Sequence, residues 1–119
     1  MTSDGPIDVT AEAAVRLTVH LLVEKRYSDL EALTRCTRLT ASEMESAVAA
    51  YGRTLVFPPD ETFRSLDARE IEAHPQNKKW SIVLPLWTKE EGQSDLALEL
   101  TLEREVDGTR IELDNIHVL

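Results

Sequence analysis

Four leucines, Leu96, Leu98, Leu100 and Leu102, alternate with Ala97, Glu99, Thr101 and Glu103. Leucine is a strong helix former, yet a helix of 3.6 residues per turn would scatter these four around its circumference. Only a strand, with its repeat of two, puts them on one face. The segment is therefore expected to be a half-buried strand, and the rest of the chain must supply a layer that covers the leucines. Asp107-Gly108 follows, a pair suited to a tight type I′ hairpin. The next strand runs from Thr109 with Ile111 and Leu113 facing in. Ile116 and Val118 are out of phase with Leu113, and a bulge near Asp114-Asn115 reconciles the two halves.

Upstream, Trp80, Ile82, Leu84 and Leu86 share one face of a further strand, and Ser81, Val83, Pro85 and Trp87 the other. Pro85 lacks an N–H, so the strand is an edge or is bulged there. Lys89 to Ser94 makes the turn into the leucine strand, and a weaker strand spans about Leu66 to Ala73, ahead of Pro75-Gln76-Asn77.

The first half has a helical period. Ala11, Ala14, Val15, Thr18, Leu21 and Leu22 recur at three- and four-residue spacing, widened by Leu17 and Val19, with Asp8 or Thr10 as the cap. Ser28-Asp29-Leu30-Glu31 reads as a capping box opening a short helix that turns Leu30 and Leu33 inward. Thr40-Ala41-Ser42-Glu43 reads as a second box, with Met44, Ala47, Val48, Tyr51 and Leu55 as its apolar stripe. Gly52 weakens the last turn, and Pro58-Pro59 prevent continuation.

The order predicts one α+β domain over residues 1–119: three N-terminal helices within 8–56, packed on a curved antiparallel sheet of about four strands within 66–119. At 119 residues and 42% hydrophobic content, the chain is long enough for a core and too short for two domains. A single cysteine, Cys36, rules out an internal disulfide, and it reads as a buried structural thiol. There is no apolar run of membrane-spanning length, and the opening Met1-Thr2-Ser3-Asp4-Gly5-Pro6 has no signal-peptide pattern, so a cytoplasmic location is expected.

The net charge of −9 argues against nucleic acid and anionic lipid as partners. Residues 90–115 carry nine acidic side chains against Arg104 and Arg110, a net of −7. No phosphate loop, zinc spacing or nucleophile–base set is present, so no catalytic residue, metal or cofactor is assigned. His20, His74 and His117 are far apart in sequence.

Three helices followed by a curved antiparallel sheet resembles the cystatin-like cone of nuclear-transport-factor type. The final third is similar to a small uncharacterised bacterial domain family, on Trp80, Leu86-Trp87-Thr88, Glu90-Glu91-Gly92, Ser94-Asp95-Leu96 and Ile116-His117-Val118-Leu119. In type, the chain is similar to bacterial immunity proteins, which are small, acidic, cytoplasmic α+β domains.

The leading expectation is a non-enzymatic acidic binding protein, most concretely an immunity protein that masks a basic surface on a cognate toxin. Its working face would carry Asp95, Glu99, Glu103, Glu112 and Asp114, with Trp87 as an apolar anchor. The alternative is a cone-fold pocket protein, a small-ligand binder or enzyme, whose cavity between helices and sheet is lined by Tyr51, Trp80, Trp87 and His20 or His117. The chain would be a monomer, or a homodimer paired through the sheet face if Arg104 and Arg110 interleave with the carboxylates.

Overall fold

The strand alternation sets the architecture seen in the computed structural model, which describes residues 9–35, 37–73, 78–105 and 108–118. Four helices and five strands follow in the order α1 (Val9–Val23), α2 (Tyr27–Leu33), α3 (Ala41–Tyr51), β1 (Leu55–Val56), α4 (Asp60–Arg64), β2 (Asp67–Ala73), β3 (Lys78–Thr88), β4 (Gly92–Glu105) and β5 (Gly108–Val118). The result is a small α+β domain with a curled antiparallel sheet. No described helix is long and apolar enough to cross a membrane. The expected roles of Asp8, Cys36, His74 and Asp107 lie outside the described residues, as do Pro75-Gln76-Asn77 and Leu119.

Two expectations about number are corrected. Leu55 does not complete the stripe of α3; it pairs with Thr88 in the two-residue β1. Pro58-Pro59 do not end α3, which stops at Tyr51 with Gly52 as a left-handed C-cap at φ 75°; they open another element. Pro59, with extended backbone at ψ 157°, is the N-cap of α4, and Asp60 and Glu61 occupy its first turn, where the helix dipole favours negative charge.

The two capping boxes fare differently. At α3 the box forms: the Glu43 amide donates to Thr40 Oγ1 at 3.1 Å, and the Thr40 amide donates to Glu43 Oε1 at 2.9 Å. At α2 it does not. That helix starts at Tyr27 with Arg26 at the cap and no side-chain cap bond. The Glu31 carboxylate instead accepts from the Ala41 amide at 3.1 Å, tying α2 to the start of α3. On α1, Ala11, Val15, Thr18, Val19, Leu21 and Leu22 are buried, but Leu17 is exposed and does not widen the apolar face.

The sheet runs β1-β3-β4-β5, with β2 also paired to β3. β2 covers one stretch of β3, from Ala73 opposite Lys78 to Asp67 opposite Val83. β1 covers another, with Val56 opposite Trp87 and Leu55 opposite Thr88. Pro85 falls in the gap between them, and the register against β4 also shifts between Pro85 and Trp87. Both readings of the proline hold together: it sits at an uncovered edge and beside a bulge. Ser94 pins that bulge. Its hydroxyl donates to the Leu86 carbonyl at 2.7 Å and accepts from the Leu96 amide at 3.2 Å. On β5 the expected bulge falls at Asp114: Leu100 opposes Leu113 and Glu99 opposes Asn115, leaving Asp114 as the extra residue.

The inner face of the sheet is apolar and closed. Leu96, Leu98, Leu100, Leu102, Ile82, Leu84, Ile111 and Leu113 form one core cluster with Val15, Val19 and Leu22 of α1, Leu30 of α2, Met44 of α3 and Phe63 of α4. Each fully buried side chain of this size contributes about 1.5–3 kcal/mol. Trp80 is 3% exposed and belongs to this core.

Candidate functional site

The outer face of the sheet carries the residues picked out by charge. Register places Lys79, Glu103 and Arg110 in one row, Ser81, Thr101 and Glu112 in the next, then Val83, Glu99 and Asn115, and then Pro85, Ala97 and His117. Carboxylates and basic groups therefore interleave. His117 Nε2 contacts Glu99 Oε2. Thr101 Oγ1 donates to Asp114 Oδ2 at 2.6 Å, and Arg110 Nη2 lies 3.6 Å from Glu112 Oε2.

A further cation arrives from the helical half. Arg38, between α2 and α3, forms an isolated parallel bridge with Leu113 at the outer edge of β5. Its guanidinium lies 3.3 Å from Asp114 Oδ1 and 3.7 Å from Glu112 Oε1. Arg35 reaches Glu105 at 3.2 Å. Both arginines have left-handed backbones, at φ 57° and 76°, which costs a non-glycine residue about 1 kcal/mol. The acidic face thus holds a strained basic loop in place, a role the count of charge along the sequence did not reveal.

Glu90 and Glu91 are also engaged. The Thr54 amide and hydroxyl donate to Glu90 at 2.9 and 3.0 Å. Tyr51 and Thr88 donate to Glu91 Oε1 at 2.9 and 3.0 Å. The Thr54 amide is the main reason that the Glu90 carboxyl titrates below its ordinary value. This turn latches the β3–β4 hairpin onto the end of α3. Gly92 completes it at φ 76°, where an added Cβ would stand 3.7 Å from the Trp87 ring.

Trp87 projects from the outer face at the β3 edge, half-buried, against a hollow of about 390 Å³ lined by Pro59, Glu61, Thr62, Ser65, Pro85 and Gln93. Its indole Nε1 is buried and has no hydrogen-bond partner among the described residues. Asp95 is exposed in the adjoining bulge.

The residues expected around an interior cavity do not converge as a set. Tyr51 and His117 share an open groove of about 300 Å³ between α3 and the end of β5, with Ala47, Leu96 and Val118. Trp80 is in the core, Trp87 lines the hollow by α4, and His20 is exposed on α1 with its ring 6.4 Å from that of Phe57. A third hollow, of about 230 Å³, lies between the end of α1 and α3 beside Tyr27, whose hydroxyl pKa is raised by burial and then by Glu45. Arg38 and Glu61 were missed from sequence. Arg38 had no local carboxylate to flag it, and Glu61 sat in a stretch read only as a helix stop.

Most of the residues that carry the family likeness are architectural. Trp80, Leu86, Leu96 and Ile116 are core. Thr88, Glu90, Glu91 and Gly92 build the latch, and Ser94 pins the bulge. Trp87, Asp95 and His117 remain at the surface.

A small α+β domain with its helices packed on one sheet face and an ion-paired opposite face defines the class. Within it, the chain belongs to a family described as a domain of unknown function (DUF7668), matched over residues 19–119, from the middle of α1 through β5. No curated protein and no solved structure matches it.

Proposed function

We propose that the protein is a non-enzymatic binding module that receives a basic protein on the outer face of its sheet. In its most concrete form it is a bacterial, cytoplasmic immunity protein that masks a basic surface of a cognate toxin, on a cystatin-like cone. The observation that carries the reading is the order imposed on the outer carboxylates. Asp114 is fixed by Thr101 and Arg38, Glu112 by Arg38 and Arg110, and Glu99 by His117. Carboxylates already held in one geometry lose little side-chain entropy on binding, so the face is prepared for recognition. Asp95 and Glu103 add negative charge at its margins, and Trp87 offers apolar area at one end.

The test starts with partner capture from the source organism at low salt, followed by kinetics with the isolated partner. Charge at the margins of an interface acts mainly on encounter, whereas a buried anchor acts on residence time. Asp95→Lys with Glu103→Lys should lower the association rate and flatten its salt dependence. Unchanged rates in this double variant at low salt would remove the outer face as the binding surface.

A further inference from the structure

We infer that the Trp87 hollow is a subsite for an arginine side chain of the partner. The inference rests on the binding reading above and names the chemistry of one contact within it. Three observations converge. The apolar part of the lining is the Trp87 indole with Pro85 of β3 and Pro59 at the start of α4, and the rest is polar, from Glu61, Thr62, Ser65 and Gln93. The single charged side chain in the lining is Glu61, which is exposed. Arg64, the nearest cation in sequence, lies 3.9 Å from Asp60, and Arg16 of α1 lies 3.0 Å from the same carboxylate. The Glu61 carboxylate therefore shares the hollow with the Trp87 indole, while the Arg16 and Arg64 guanidiniums lie against its neighbour Asp60.

That combination selects a cation with a flat, weakly hydrated head. Guanidinium stacks on indole and takes a carboxylate through parallel N–H donors, whereas an ammonium is compact and more strongly hydrated. Gln93 and Ser65 supply further acceptors. The Ser65 hydroxyl donates its proton to the Glu61 carbonyl at 2.8 Å, so toward a further group its oxygen can only accept. The gap in the β3 edge at Pro85 leaves the hollow open to an approaching chain.

The test uses the full chain and two probes, acetyl-Gly-Arg-Gly-amide and its citrulline counterpart, which keeps the shape and loses the charge. The two indole N–H resonances report separately, Trp80 from the core and Trp87 from the hollow, with Trp87→Phe making the assignment. The arginine probe should shift the Trp87 resonance saturably at millimolar concentration while Trp80 stays still. The citrulline probe should bind about tenfold more weakly, and Glu61→Gln should weaken the arginine probe about fivefold. Equal response to both probes, insensitivity to Glu61→Gln, or no saturable shift would each overturn the inference. Failure here, with association still slowed by the Asp95 and Glu103 reversals, would remove the subsite and leave the outer-face reading standing. The opposite pattern would remove the outer face and keep the subsite.

Discussion

On the inner face of β4, Leu96, Leu98, Leu100 and Leu102 are at most 2% exposed within the core cluster shared with the helices. On the outer face, Ala97 and Thr101 are 0% and 8% exposed, yet neither belongs to that cluster. Inner burial comes from a second layer of apolar side chains. Outer burial comes from small residues flanked by longer ones that are paired across strands, Glu99 with His117 and Asp114 with Thr101 and Arg38. A change on the inner face leaves a void that nothing can fill. A change on the outer face leaves a polar partner that water can reach in part.

The contrast should show most strongly at Leu98. Leu98→Ala is expected to cost about 2–5 kcal/mol in urea unfolding, because the cavity it leaves is closed on both sides. Asp114→Ala comes next, at about 1–3 kcal/mol, since it strips an acceptor from the Thr101 hydroxyl and a counter-charge from Arg38. If Asp114→Ala matched Leu98→Ala, the outer face would be as rigidly packed as the core, and the distinction would fail. Glu99→Ala should cost well under 1 kcal/mol, because its pair with His117 is about one-third exposed on each side.

The smallest effect is a pH dependence at the β3–β4 turn. The Thr54 amide lowers the Glu90 carboxyl below its ordinary 4.5, so the folded state binds this proton more weakly than the unfolded state. The stabilisation is then complete above about pH 4.5 and is lost as pH falls through the depressed value. Wild type should melt above Glu90→Gln at neutral pH, and the gap should narrow at a pH below the ordinary 4.5, as the carboxyl takes up its proton. A gap of the same size at both pH values would mean that the latch does not depend on the charge of Glu90.

The inner face was legible in the sequence because its signal is local: a repeat of two over eight residues leaves one solution. The bulge at Asp114 was legible for the same reason, as a slip in phase. The outer pairings were not. Counting charge along residues 90–115 gave a field of −7. In the fold, Arg35 and Arg38 return from the helical half to Glu105, Glu112 and Asp114, and Glu90 and Glu91 face neutral donors on Thr54 and Tyr51. The failed box at Ser28 has the same origin. Glu31 had a local donor within reach of the pattern, and the Ala41 amide, ten residues on, took it instead. Parity alone put Trp87 on the outer face, but its neighbour Glu61 became visible only once α4 was placed.

The split pairing along β3 bears on how the protein behaves when crowded. A long, flat row of unmet backbone groups can recruit a strand from another molecule and seed fibres. In the described residues, each boundary of the sheet is interrupted. β1 is two residues long; β2 is kinked at Ile71 and carries Asp67, Arg69 and Glu70. Pro85 has no N–H to offer in the space between them. On the far side, β5 is bent at Asp114 and blocked at Leu113 by the Arg38 bridge. A domain with this much strand therefore gives a neighbouring molecule little straight backbone to template on, and it should tolerate high concentration without growing into cross-β assemblies.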